Sequence, residues 1–241
     1  MCTVSFVSAG TKKIITSNRD ENIQRKNAAA PAVEKINGHE IIFPKDAKAG
    51  GSWFAASDKA VISVLLNGAF NKHIPVPPYR KSRGLVLLDI ITAADPLAYF
   101  SEDNLLQIEP FTVVLFQPGF LHELRWDGEQ TYKKALDISG NYIWSSATLY
   151  SDEVIAYRKN LFEKFIENNK TPDAESIHRF HAENNRDEEN GFVINRKTGM
   201  KTFSITQAIS RPGGIDFLHN DLLQHQQFKE TMQIGNRLIN S

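Results

Sequence analysis

The sequence predicts an α+β fold, and three observations carry that expectation. Short strand-like runs separated by turn signals fill the first third of the chain. Apolar residues at helical spacing are confined to two stretches, near residues 82–94 and 151–183. Strand-like runs then return after residue 200 and close the sequence. Groups of strands with helices between them argue one α+β domain, taken here over residues 1–241.

The elements follow in order. Thr3–Ser8 and Lys13–Ser17 form a hairpin through Ala9-Gly10-Thr11. Residues 22–51, with scattered Gly, Pro and Lys, read mostly as loop with one strand near Glu40–Phe43. A second hairpin joins Ser52–Ala56 to Ala60–Leu66 through Ser57-Asp58-Lys59. The three prolines within His73–Tyr79 exclude a central strand or a helix interior. Ser82–Ala94 carries Leu85, Leu88, Ile91 and Ala94 at helical spacing. Phe111–Phe116 and Leu121–Trp126 flank a Gln117-Pro118-Gly119 turn, and Thr131–Leu136 adds a strand after Asp127-Gly128. A long helix starts at Ser151, with Asp152 and Glu153 suiting the positive first turn and an apolar stripe of Val154, Tyr157, Leu161, Phe162 and Phe165. A second opens at Thr171-Pro172 and runs to about Glu183. Thr202–Ile209, Gly214–His219 and Phe228–Ile234 complete the strands.

Composition narrows the function. The chain has 241 residues, 28 Lys+Arg against 28 Asp+Glu, and one cysteine. A net charge of zero supplies no field to attract nucleic acid or anionic lipid, which leaves a small molecule as the expected partner. One cysteine excludes an internal disulfide, a CxxC zinc site and a CxxCH haem attachment. No run approaches the roughly 20 apolar residues of a membrane span. The apolar stretch of MCTVSFVSAGTKK precedes its basic pair, the reverse of a secretory signal. The expectation is a reduced, cytoplasmic protein.

The lone cysteine is residue 2. If Met1 is removed, thiol and α-amine belong to one residue, and an amine of pKa about 7.7–8.0 can act as general base for its own thiol. Sixteen residues further on, after the first hairpin, stands Asn18-Arg19-Asp20-Glu21. Two strands and a short turn return the chain toward its start, where a carboxylate can hold the amine and an arginine can favour thiolate or grip a carboxylate. The same tetrapeptide also fits a solvated charged turn.

These residues carry a resemblance. MCTVSF, then NRDE, then Gly50-Gly51-Ser52-Trp53-Phe54 and Leu66-Asn67-Gly68 look like the NRDE family, also called the transport-and-Golgi-organisation family. Arg83-Gly84 and Trp144-Ser145-Ser146 add to it. That family is similar to the N-terminal-nucleophile hydrolases, which implies two antiparallel sheets between helical layers. The resemblance makes Cys2 the nucleophile of an amide hydrolase acting through a thioester, with Arg19 and Asp20 positioning it and Asn67 as oxyanion donor. Asn18, Glu21, Trp53, Arg83, Ser146 and Lys201 are assigned to substrate binding. Asn67-Gly68 is also simply a turn dipeptide. Two positions depart from the family pattern: Ser146 replaces an asparagine, and Gly199-Met200-Lys201-Thr202 replaces Gly-Thr-Arg-Thr, so the planar fork of an arginine is lost. Hydrolysis needs no cofactor. The resemblance also implies an alternative, a haem- or lipid-binding carrier on the same scaffold.

Other signals read as structural. His178 and His181 lie on a polar surface helix, and no HExxH or acidic cluster supports a metal. His219 and His225 read as solvated strand ends or a turn. Trp53, Phe54, Trp126 and Trp144 read as core. Arg80, Lys81 and Arg83 make a small basic cluster at a helix start, read as a solvated face, with contact to an anionic ligand or substrate tail as the alternative. Pro212-Gly213-Gly214 lacks the lysine and helix of a phosphate loop.

Overall fold

A computed structural model describes residues 3–234; Cys2 lies outside the described residues. β1 (Thr3–Ala9) and β2 (Lys12–Asn22) form the expected hairpin, registered from Thr3 opposite Asn18 to Ala9 opposite Lys12. β2 runs five residues past the predicted end, so the NRDE tetrapeptide is strand and not turn. Its polar side chains hid a segment that is buried between two neighbouring strands.

Residues 22–51 are not mostly loop. They contain β3 (Ala29–Ile36) and β4 (His39–Lys45). β3 escaped detection because it is an exposed edge strand. Pro31 sits where its register with β4 shifts, and Glu34 and Lys35 break any apolar alternation. β5 (Phe54–Ser57) and β6 (Ile62–Asn67) match the second predicted hairpin. β7 (Phe111–Gln117), β8 (Phe120–Trp126) and β9 (Thr131–Leu136) follow as expected. β10 (Tyr142–Ser145) was not predicted, while β11 (Met200–Arg211), β12 (Gly214–Asp221) and β13 (Gln226–Gln233) were.

The strands make two antiparallel sheets. One has the order β10-β1-β2-β11-β12-β13, the other β3-β4-β5-β6-β7-β8-β9. Strand alternation sends Val4, Phe6 and Ile15 toward the second sheet and Val7 and Ile14 the opposite way. The sheets meet through Phe6 against Phe116 and Phe54 edge-on to Phe217.

Helix α1 (Arg83–Thr92), capped by the Ser82 hydroxyl, packs on β5 and β6. Two short helices, α2 (Pro96–Tyr99) and α3 (Glu102–Leu105), were not predicted. α4 (Asp152–Asn168) and α5 (Ala174–Ala182) cover the back of the first sheet, where Phe162 and Ile177 meet Val7 and Ile14. This is the α+β sandwich of two antiparallel sheets between helices.

Two helix details differ from expectation. α5 starts later than predicted, because Asp173, not Thr171, accepts from the Ser176 N–H in a capping box. On α4, Tyr157 is exposed, and the buried position beside it belongs to Arg158.

Candidate active site

Alternation along β2 divides the NRDE residues between two faces. Arg19, 3% exposed, points toward the second sheet. Its guanidinium lies 4.3 Å above the Trp53 ring and donates to Asp46 at 2.9 Å. Asp46 also accepts from Arg25 at 3.1 and 3.0 Å and from the backbone N–H groups of Lys48 and Ala49. Glu21 sits 3.7 Å from Arg19 and 3.5 Å from Arg25. Burial lowers the pKa of Arg19, opposed by Glu21 and Asp46, and the group stays cationic.

Burial pushes the Asp46 carboxyl up, but bonds from Arg25 and the Ala49 N–H, with the charges of Arg25 and Arg19, hold it below its ordinary value of 3.8. A depressed folded-state pKa means stability that is present above 3.8 and lost as pH falls through the lower folded value. Asp46→Asn is therefore expected to flatten the fall in urea midpoint on acidification below about pH 4. It should also lower stability at pH 7, where it leaves a buried arginine without its carboxylate.

Arg19 forms one wall of a cleft of about 410 Å³, with Glu21, Trp53, Asn67 and Arg83 among its lining residues. Arg83 is held by Glu109 at 3.0 Å and by the Pro110 carbonyl at 3.1 Å. The motif around Trp53 has a structural reason for its glycines. The Ser52 N–H donates to the Gly84 carbonyl at 3.1 Å, and a Cβ on Gly51 would stand 2.3 Å from the Gly84 carbonyl carbon. Gly51 and Gly84 thus let the loop before β5 lie backbone to backbone on the start of α1, which sets Trp53 and Arg83 beside the same cleft.

Asn67 ends β6 and faces both this cleft and an adjoining cavity of about 240 Å³. Its carbonyl accepts from the Ser146 hydroxyl at 2.8 Å. Its side-chain amide has no hydrogen-bond partner among the described residues. The Ser146 hydroxyl donates to that carbonyl and holds the asparagine in place, and Ser146 lines the adjoining cavity and not the cleft of Arg19. Ser145 pairs with Thr3, so the start of β1 and Asn67 are tied together through adjacent residues.

Asn18 and Asp20 face the helices instead. The Asn18 amide donates to the carbonyls of His181 and Phe192, both at 2.9 Å, and its oxygen contacts His181 Nδ1. It clamps α5 to the sheet and does not line the cleft. Asp20 accepts from the Tyr150 hydroxyl at 2.7 Å and from the Thr202 hydroxyl. Lys201 is the register partner of Glu21 and lies outside the cleft lining.

Two of the histidines overturn their surface assignment, while His225 is exposed as expected. His181 is fully buried and His219 is 3% exposed. Asn18 Oδ1 can only accept, so His181 carries its proton on Nδ1, and Nε2 accepts from Ser5 at 2.7 Å. Burial first, then His178 and Arg158, lower the pKa of His181 to about 3. Burial likewise lowers His219, bonded to Thr206, to about 4. Between those values and about 6.5 the unfolded chain binds more protons, so each histidine contributes stability that is present above about 6.5 and lost on acidification at about 1.4 kcal/mol per pH unit. Denaturant midpoints should fall steadily from pH 6.5 to 4, and a His181→Gln variant should show a shallower fall.

Sequence reasoning missed Asp46, Tyr150, Thr202 and Arg158. Arg158 is fully buried, donates to Thr3, Gly191 and the Asn190 carbonyl, and stacks 3.7 Å from the Tyr150 ring. The signal for it existed, since position 158 lies four residues before Phe162 on the buried side of α4. Asp46 sits in a turn without periodicity and left no comparable signal.

Among the described residues, no group of His, Cys, Asp and Glu is placed to hold a metal ion, and no helix is long and apolar enough to cross a membrane. The paired sheets and helices define the fold of the N-terminal-nucleophile hydrolases. The chain belongs to the family described as TANGO2, Transport and Golgi organisation 2, which it matches over residues 1–233.

Solved structures share the fold at low identity. Two are of a conjugated bile acid hydrolase from Clostridium perfringens, one with a cysteine changed to alanine and one with an arginine changed to leucine. Both are 12% identical with TM-scores of 0.61 and 0.59, covering 96% of this chain and 92% of theirs. A third is the Caenorhabditis elegans ortholog of N-acylethanolamine-hydrolyzing acid amidase, 11% identical with a TM-score of 0.53, covering 86% of this chain and 92% of its own. Compared by sequence with curated proteins, the chain gives no match.

Proposed function

We propose that this chain is a cysteine N-terminal-nucleophile hydrolase that cleaves an amide or related acyl bond in a small molecule through a thioester on Cys2. The observation that carries this reading is Asn67: an amide with no described partner, on a main chain pinned by Ser146, facing a cleft whose other wall is Arg19. The neighbouring structures are of a hydrolase and an amidase, which supports acyl-bond hydrolysis as the reaction class.

The reading requires removal of Met1 and a Cys2 thiol on the Val4 and Arg19 side of β1. The freed amine takes the thiol proton and the thiolate attacks the substrate carbonyl carbon. The Asn67 N–H groups donate to the resulting oxyanion. The ammonium returns the proton to the leaving nitrogen as the C–N bond breaks. The amine then takes a proton from water, hydroxide adds to the thioester, and the acid leaves with the thiol restored. Arg19 favours the thiolate by its charge, and Arg83 offers a second cation for a polar substrate arm.

A haem or lipid carrier is less well supported by the cleft. Its described lining includes Arg19, Arg25, Lys48 and Arg83 with Glu21, Asp46 and Glu109, and no histidine, methionine or tyrosine to ligate iron. Turnover of a series of chromogenic acyl anilides of increasing chain length tests the proposal. Cys2→Ala is expected to reduce it to background. Undiminished turnover in that variant sinks the reading.

A further inference from the structure

Behind the first sheet, one turn joins the two halves of the candidate site. Ser146 holds the Asn67 carbonyl with its hydroxyl, and its own carbonyl accepts from the N–H groups of Leu149 and Tyr150 at 3.3 and 3.2 Å. Tyr150, 5% exposed, then reaches Asp20 with its hydroxyl at 2.7 Å. The ring is gripped by two cations: Arg158 from α4 at 3.7 Å and Arg196, from the segment before β11, at 5.0 Å. Arg158 is itself fixed on Thr3, at the start of β1. Thr202 on β11 donates to the other Asp20 oxygen while accepting from the Ile194 N–H at 2.9 Å.

We propose that Tyr150 is a positioning residue that acts through Asp20, so that the Ser146–Tyr150 turn sets the Asn67 oxyanion donor and the Asp20 carboxylate in one piece. The inference rests on the hydrolase reading given above. Two guanidiniums against the ring draw electron density from the phenol and strengthen its hydroxyl as a donor. A carboxylate that accepts two hydroxyl bonds has part of its charge already satisfied and a fixed orientation. Loss of the Tyr150 hydroxyl therefore leaves Asp20 more negative toward its surroundings and less well aimed. The other groups around this corner are His181 from α5 and Asn18 on the same face of β2, with Arg19 and Glu21 on its opposite face and Lys201 across the ladder from Glu21.

The single cysteine supplies a readout that needs no substrate, because iodoacetamide alkylation reports on Cys2 alone. The rate is measured against pH in protein whose Met1 has been removed, for the parent chain, Tyr150→Phe, Asp20→Asn and the double variant. Tyr150→Phe keeps the stacked ring. It is expected to move the alkylation midpoint up by about half a pH unit and slow the reaction at pH 7 about threefold. Asp20→Asn should move the midpoint down, and the double variant should match Asp20→Asn alone. Thr202→Val, which removes the second described hydroxyl donor to Asp20, should shift the profile in the same direction as Tyr150→Phe.

An unchanged profile in Tyr150→Phe overturns the proposal, as does the same upward shift in the Asp20→Asn background. A lowered melting temperature with an unmoved profile assigns Tyr150 a structural role only and counts against it too. The hydrolase reading fails separately, through turnover that survives Cys2→Ala.

Discussion

Asn67→Ala is expected to lower kcat toward a chromogenic acyl anilide by about 100- to 1,000-fold, the usual loss when one oxyanion donor is removed. KM should change little, because the donor is strongest against the charge that develops in the transition state. The same substitution should leave the urea midpoint nearly unmoved, since the Asn67 side chain makes no hydrogen bond to described residues. That split separates a catalytic donor from a structural asparagine. A variant that loses stability and activity together, or neither, contradicts the role given to Asn67. Ser146→Ala should lose less kcat, because it loosens the Asn67 main chain and removes no donor from the cleft.

Gly51→Ala is expected to destabilise the fold by at least about 3 kcal/mol in urea unfolding, at the upper end for overpacking. The added Cβ would meet backbone, 2.3 Å from the Gly84 carbonyl carbon and 2.4 Å from the Leu85 nitrogen, and neither can rotate away. Relief requires moving α1 from the loop before β5, which breaks the Ser52 to Gly84 bond and parts Trp53 from Arg83. Gly84→Ala should behave alike, its Cβ standing 2.8 Å from the Ser52 carbonyl oxygen. A change under about 1 kcal/mol at Gly51 would show that the backbone contact does not hold.

Much of the fold was legible where burial is one-sided. The β1–β2 hairpin, the β7–β9 meander and α1 all carry periodicity or turn residues in the sequence. What escaped has a common cause: local pattern reports burial only when buried residues are apolar. NRDE looked like a turn because four polar residues in a row normally seek water, yet here they sit in a strand flanked on both sides. Arg158 and His181 occupy buried stripe positions on α4 and α5 and were passed over for the same reason. β3 failed in the opposite way, an exposed edge with nothing apolar to alternate.

The site divides similarly. Arg19, Asn67, Trp53, Glu21 and Arg83 were named from motifs and do meet in one cleft. Asn18 and Ser146 belong to the same motifs but serve as clamps, a distinction that only hydrogen-bond partners reveal. Asp46 and Tyr150 come from distant turns, and no spacing in the chain announces their contacts with Arg19 and Asp20.

The central claim is that Cys2 becomes an N-terminal nucleophile. Intact mass of protein purified from its native cells, before and after brief iodoacetamide treatment at neutral pH with turnover followed in parallel, tests it most directly. The account predicts a chain lighter by one methionine residue, taking up one carbamidomethyl group as turnover is lost in proportion. A chain that retains Met1, or that is fully alkylated with turnover intact, would contradict it.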